Sequence, residues 1–207
     1  IAAACEAAGC ALAGGETAEM PGLYAPGHFD LAGFAVGVVE RARALGPDRV
    51  RAGDAIVGIP SSGLHSNGFS LVRALVEEGS LAADPDLLLV PTRLYADVPE
   101  RLRAAGVEPR SAAHVTGGGL PENLPRALPE GLRAVLDPAA WERGAAMEEV
   151  LATGRVEPDE AWRTFNMGLG MCVVVAPDDA AAAAAALGDA RVVGRVEPGG
   201  RGVVLGP

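Results

Sequence analysis

The chain contains no lysine and no glutamine, so all 17 of its basic residues are arginine. It holds only three asparagines and three histidines. This is a compositional bias toward Ala, Arg and Gly, under which a single arginine says little and the scarce polar residues say more. Aromatics make up 4% of the chain, and the 49% hydrophobic content is inflated by alanine, which implies a core of small side chains. No uninterrupted apolar run reaches the roughly 20 residues a membrane-spanning helix needs. The first residues lack the basic-then-apolar order of a secretory signal, so the expectation is a cytoplasmic protein without a membrane partner. Three cysteines, Cys5, Cys10 and Cys172, have neither metal-site spacing nor the count of a disulfide framework, which points to a reducing compartment. A net charge of -10, with 27 acidic residues, excludes nucleic-acid binding through a broad basic face but leaves room for a local phosphate pocket.

What is present centres on Asp54 to Asn67, DAIVGIPSSGLHSN. Ala55, Ile56, Val57 and Ile59 read as a buried strand, Pro60 stops its ladder, and Ser61, Ser62 and Gly63 turn the chain. Ser66 or Asn67 is placed to cap a helix running through Phe69, Leu71, Val72, Leu75 and Val76. Free amides at a helix start, two hydroxyls and the imidazole of His65 suit an anionic oxygen such as phosphate. An ordinary strand-turn-helix corner with a capping serine would use the same residues.

The opening IAAACEAAG reads as helix, and Cys10 to Ala13 as a short strand entering Gly14-Gly15-Glu16-Thr17. The paired glycines permit close backbone approach to a ligand, and Glu16 could hold magnesium or a substrate hydroxyl. Phe29 to Val39 reads as a strand with glycines at 33 and 37. A boundary near Leu45 to Asp48 divides the chain into segments 1–45 and 46–207. Thr92 is placed to cap a helix reaching about Ala105, with Pro99 expected to kink it or end it early. Ala112 to Val115 is a strand opening into Thr116-Gly117-Gly118-Gly119, a second candidate anion cradle flanked by His114. That loop lacks the Gly-Lys-Ser/Thr ending of a Walker loop. Leu132 to Leu136 is a strand, Pro138 to Thr153 a helix carrying Trp141 and Met147, and Asp159 to Phe165 a short helix. Asn166 reads as a turn residue before the strand Met171 to Val175. Ala180 to Ala186 is helix by propensity. Arg191 to Val196 and Gly202 to Leu205 read as a closing antiparallel pair. Alternating strands and helices followed by strands define an α/β (α+β) fold with a mixed sheet and flanking helices.

Six stretches together resemble one family: GGETAEMPG (14–22), AGFAVGVVE (32–40), SSGLHSNGFSLVR (61–73), PTRLY (91–95), HVTGGGLPENLPR (114–126) and RTFNMGLGM (163–171). In this order they are similar to phosphoribosylformylglycinamidine cyclo-ligase, also called aminoimidazole ribonucleotide synthetase. The resemblance implies an enzyme that uses ATP and magnesium to close formylglycinamidine ribonucleotide into aminoimidazole ribonucleotide, acting as a homodimer. It implies the C-terminal α/β domain of that superfamily preceded by the last strands of its N-terminal ATP-binding domain, within a chain truncated at its N-terminus. On this reading Glu16 is catalytic or metal-binding, and Gly14, Gly15 and Thr17 face the nucleotide. His65 is expected to transfer a proton near neutrality. Ser61, Ser62, Gly63, Ser66 and Asn67 take substrate phosphate or amidine, and Thr116, Gly117, Gly118 and Gly119 form the second cradle. Kinases of the thiamine-phosphate type, selenophosphate synthetases and a non-catalytic binding or dimerisation module remain as alternatives.

Overall fold

The computed structural model describes residues 1–206, which divide into two units, Ile1–Ala44 and Leu45 onward. In the first unit, helix α1 spans Ala2–Ala7 and forms without a side-chain cap, as its alanine content dictates. The strands expected at 10–13 and 29–39 do not form. Phe34, Val36 and Val38 are almost fully exposed, with no ladder neighbour. Alternation alone does not make a strand; a hydrogen-bonded partner does.

The second unit is built on one six-stranded sheet: β1 (Ala55–Pro60), β2 (Ser111–His114), β3 (Leu132–Leu136), β4 (Leu169–Val175), β5 (Arg191–Pro198) and β6 (Val203–Leu205). Their spatial order is β2-β4-β1-β5-β3-β6. All neighbours are antiparallel except β3 and β6, which run parallel. The expected closing hairpin of β5 and β6 is therefore replaced: β3 inserts between them. The turn Pro198-Gly199-Gly200 is compatible with a hairpin but does not fix which strand a three-residue segment joins.

Side chains alternate across the sheet as its pleat requires. Ile56, Cys172, Val174 and Leu136 face one layer with Leu120, Leu124 and Leu128, where α5 (Gly119–Asn123) lies. Val57, Ile59, Val173 and Val175 face the other, against α4 (Val98–Ala104) and α8 (Ala180–Leu187). A third apolar cluster joins α2 (Phe69–Glu77), α3 (Pro85–Leu88), α6 (Ala145–Ala152) and α7 (Pro158–Thr164) around Phe165.

Three helix limits differ from expectation. Helix α4 begins at Val98 rather than at Thr92, because Pro99 falls in its first turn, where a missing N–H costs nothing. The long helix expected over 138–153 is broken by Gly144 (φ 80), leaving Trp141 outside α6. Helix α2 is capped by Gly68 (φ 72) with no side-chain bond, not by Ser66 or Asn67. A Cβ at Gly68 would overlap the Phe165 ring, so the residue there must be glycine on two counts. Among the described residues, no helix is long and apolar enough to cross a membrane.

Candidate functional site

The antiparallel registers bring five connections to one end of the sheet. Pro60 pairs with Leu169, Gly58 with Arg191, His114 with Met171, and Leu136 with Gly194. The loops after β1, β2 and β3 and before β4 and β5 therefore share an edge. Both turns singled out in the sequence belong to it.

The turn after β1 is held from outside by Asn166, which is 1% exposed. Its Nδ2 donates to Gly63 O (2.8 Å), and its Oδ1 accepts from Ser61 Oγ (3.2 Å) and Gly168 N–H (2.9 Å). Ser61 N–H also donates to Gly168 O at 2.9 Å. Asn166 is thus the clasp between the two segments, a role its local sequence, in which it reads as a turn former, did not disclose. The sequence signal that could have found it is a scarce asparagine two residues before a glycine, and in the structure Met167 (52°) and Gly168 (92°) both take positive φ.

Ser62 ties the same turn to residues 91–93. Its hydroxyl donates to Pro91 O (2.7 Å) and accepts from Arg93 N–H (3.0 Å). The Arg93 guanidinium grips Asp189 through both carboxylate oxygens, at 2.6 and 3.1 Å, which raises the arginine pKa and lowers that of the acid. The hydroxyl hydrogens of Ser61 and Ser62 are therefore committed within the fold. What remains for an anion is the Ser66 hydroxyl and the N–H groups of Gly63, Leu64, His65 and Ser66. Among the described residues these groups meet no acceptor. Successive unpaired donors of this kind are an anion cradle in form.

His65 departs from its expected part. It sits at φ 57, 6% exposed, with Nε2 accepting from Ser62 N–H at 3.1 Å and Nδ1 buried without a partner. Its ring centroid is 6.1 Å from Tyr95 and 6.4 Å from His114. Burial first, and the neighbouring His114 second, push its pKa down to about 4. The imidazole is neutral at pH 7 with its basic nitrogen occupied, so titration near neutrality is corrected. Tyr95 donates to Pro60 O (2.9 Å), and burial raises its pKa to about 12. Both rings press on Gly170, where a Cβ would overlap the tyrosine oxygen.

The second turn is organised by Asn123, which is 5% exposed. Its Nδ2 donates to the carbonyls of Thr116, Gly117 and Gly119, at 3.2, 3.1 and 2.8 Å, and its Oδ1 accepts from Thr116 Oγ1. With those carbonyls occupied, the Gly117 and Gly118 N–H groups are left unpaired among the described residues. Gly118 (φ 93) and Gly119 (φ 58) are also demanded by packing, since a Cβ on Gly119 would overlap the Trp162 carbonyl oxygen. Ser61 and Gly168 open onto a space of about 440 Å³ with Trp141, Arg143 and Arg191, whereas Thr116 lines a different one of about 440 Å³.

Gly14, Gly15, Glu16 and Thr17 belong to the other unit, where they are exposed and the glycines face open space. Among the described residues no three His, Cys, Asp or Glu side chains gather at a metal-sized site. A magnesium ion shared with nucleotide phosphates needs one or two carboxylates held in place, and the lone exposed carboxylate of Glu16 does not supply that. The residues present therefore do not build a magnesium site.

Fold and loops define an α/β domain that gathers unpaired amide donors at one end of a mixed sheet. Residues 51–206 match the family described as AIR synthase related protein, C-terminal domain, and the chain belongs to that family. A phosphoribosylformylglycinamidine cyclo-ligase of Anaeromyxobacter dehalogenans (strain 2CP-C) is 54% identical over 98% of this chain and 62% of its own length. The enzyme of that name from Myxococcus xanthus (strain DK1622) is 51% identical over 96% of this chain and 62% of its own. The chain thus spans about 62% of the length of these curated relatives. A crystal structure of the hydrogenase maturation protein HypE in complex with ATP shares the fold, with a TM-score of 0.58 and 21% identity over 81% of this chain and 51% of that one.

Proposed function

We propose that this chain is part of an ATP-dependent cyclo-ligase that closes formylglycinamidine ribonucleotide to aminoimidazole ribonucleotide. The observation that carries the reading is the turn Ser61–Asn67, which among the described residues offers four consecutive unpaired amides and the Ser66 hydroxyl at the sheet end. The relatives' name supports the same reading. Such a reaction activates a formamide oxygen by phosphorylation, and ATP supplies that phosphoryl group; fixed donors then stabilise charge on the transferred oxygens.

In this proposal residues 1–45 are the end of an N-terminal ATP-binding and dimerisation domain and 46–207 the C-terminal domain. Gly63, Ser66 and Asn67 contact substrate phosphate or amidine, with Ser61 and Ser62 shaping the turn through Asn166 and residues 91–93. His65 fixes the Ser62 amide as a neutral acceptor. Thr116, Gly117, Gly118 and Gly119 form the second cradle. Gly14, Gly15 and Thr17 lie toward nucleotide, and Glu16 is a carboxylate that joins a magnesium site only together with ligands from elsewhere. The complete protein is a cytoplasmic homodimer.

The test is product identification. The complete protein, supplied with ATP and formylglycinamidine ribonucleotide, is expected to release aminoimidazole ribonucleotide, and Ser66→Ala to raise KM. Phosphorylation of thiamine phosphate or selenide with no ring closure would replace the reading with a kinase-type or selenophosphate-type member of the superfamily.

A further inference from the structure

Helix α1 ends in a turn that brings two of the three cysteines together. Cys10 N–H donates to Cys5 O at 2.8 Å, and Gly9 N–H donates to Glu6 O at 3.0 Å. Gly9, inside the outer bond, takes φ 65. Two nested bonds around a left-handed glycine are a common way to close a helix, and in that ending the side chains at the two outer positions meet across the turn. Here the outer positions are Cys5 and Cys10.

The outer hydrogen bond also limits how far apart their backbones stand. An N···O distance of 2.8 Å, with ordinary bond lengths on either side, leaves the two Cα atoms no more than about 6.7 Å apart, within the roughly 4.4–6.8 Å that a disulfide spans. Both thiols can be reached. Cys10 is exposed and Cys5 half-buried, whereas Cys172 is sealed in the sheet core. Cys10 Sγ makes only a long contact, with Ala11 O at 3.8 Å. A pair of alkyl side chains would close this turn equally well, so the cap by itself does not call for sulfur. A bridge from residue 5 to residue 10 closes a short loop, which removes little entropy from the unfolded chain. Exposed and adding little to stability, it is suited to being made and broken rather than to holding the fold.

We propose that Cys5 and Cys10 are a reversible dithiol–disulfide pair, oxidised by a small-molecule disulfide of the glutathione type. The Cys10 thiolate attacks one sulfur of the small disulfide, whose S–S bond breaks as one thiolate leaves. The Cys5 thiolate then attacks Cys10 Sγ in the mixed disulfide, which forms the Cys5–Cys10 bond and expels the second small thiolate. Two electrons pass from the protein to the small disulfide, and its two thiolates take up the two protons. In a compartment that keeps thiols reduced the pair stands open, and the bridge records an oxidising interval. Once formed, it fixes the direction in which the chain leaves α1 toward Gly14 and Gly15. The pair lies wholly in the first unit and does not depend on the ring-closure reading.

The test equilibrates the reduced 207-residue chain in buffers of increasing glutathione disulfide, quenches with acid, alkylates free thiols in denaturant and locates them by peptide mass spectrometry. Cys5 and Cys10 are expected to lose alkylation together, in a peptide lighter by two hydrogens and carrying no glutathione, while Cys172 stays alkylated. Cys5→Ser should leave glutathione trapped on Cys10, and Cys10→Ser should leave it on Cys5. Closeness in sequence alone predicts the same bridging constant in the native chain and in urea. The turn predicts a constant at least tenfold higher in the native chain. It also predicts a several-fold drop in Gly9→Val, where space is open and only the positive φ opposes the side chain. Glutathione left on both cysteines without a bridge, a bridge between two chains, equal constants in native and unfolded parent, or no change in Gly9→Val would each overturn the proposal.

Discussion

Replacing Asn166 by alanine removes the clasp between the turn after β1 and the start of β4. Three hydrogen bonds are lost, to Gly63 O, Ser61 Oγ and Gly168 N–H. Each is worth about 0.5–1.5 kcal/mol net, and a buried group left unpaired adds its own desolvation penalty. Gly168 is buried, so its N–H has no water to turn to. The expected loss is about 3 kcal/mol, which for a domain of this size lowers Tm by roughly 10 °C. Urea unfolding followed by circular dichroism measures it as a fall in midpoint at constant m-value. Asn166→Asp separates hydrogen bonding from size. It keeps two acceptor oxygens for Ser61 and Gly168 but turns a buried carboxylate toward the Gly63 carbonyl. It should be at least as damaging at pH 7 and should recover as the acid is protonated. A loss below about 1 kcal/mol in both variants would refute the clasp.

Gly119→Ala should cost more than about 2 kcal/mol, because φ 58 and the Trp162 carbonyl both oppose a Cβ, while Gly117→Ala, facing open space, should stay within about 0.5 kcal/mol; denaturant midpoints distinguish them. The same strain means that Gly118, with φ 93 and the Glu122 side chain against it, cannot be replaced by valine as a clean test of anion binding. The pKa of His65 in the folded chain lies at about 4, below the unfolded value near 6.5. The unfolded chain thus takes up the proton first, and stability should fall as pH drops from about 6.5 to 4 and be level above that window. His65→Gln should flatten this dependence, and an NMR titration of His65 with a midpoint near 6.5 would contradict its burial. Burial raises the Cys172 thiol to about 12 and leaves it unexposed, so a thiol reagent should label Cys5 and Cys10 in the native chain and Cys172 only on unfolding. Three fast thiols would count against that core.

Strands β1, β3 and β4 were legible as short apolar runs bounded by turn residues, helix α2 by apolar residues at helical spacing, and α8 by the helix propensity of its alanines. Misreadings fell where a local signal competes with a distant partner. Pro99 reads as a helix stop but serves as a start, and the stretch 29–39 has strand alternation without a strand beside it. Within the site, glycine turns and hydroxyls were visible, but their assignments were not. Ser61 and Ser62 look like ligands until Asn166, 105 residues further on, and Pro91 are seen to take their hydrogens. His65 looks titratable until Tyr95 and His114 close around it. No spacing rule encodes such long-range neighbours.

The position of β1 bears on how the chain reaches this state. It is the first strand of its sheet to be synthesised, yet both of its neighbours, β4 and β5, are made more than a hundred residues later. An apolar segment such as AIVGI must then wait, exposed on a growing polypeptide, until residues 169–198 have left the ribosome. Contacts this distant in sequence slow folding and lengthen the interval in which aggregation competes. Refolding of the isolated chain is accordingly expected to be slow and sensitive to protein concentration, with a holdase chaperone raising the yield.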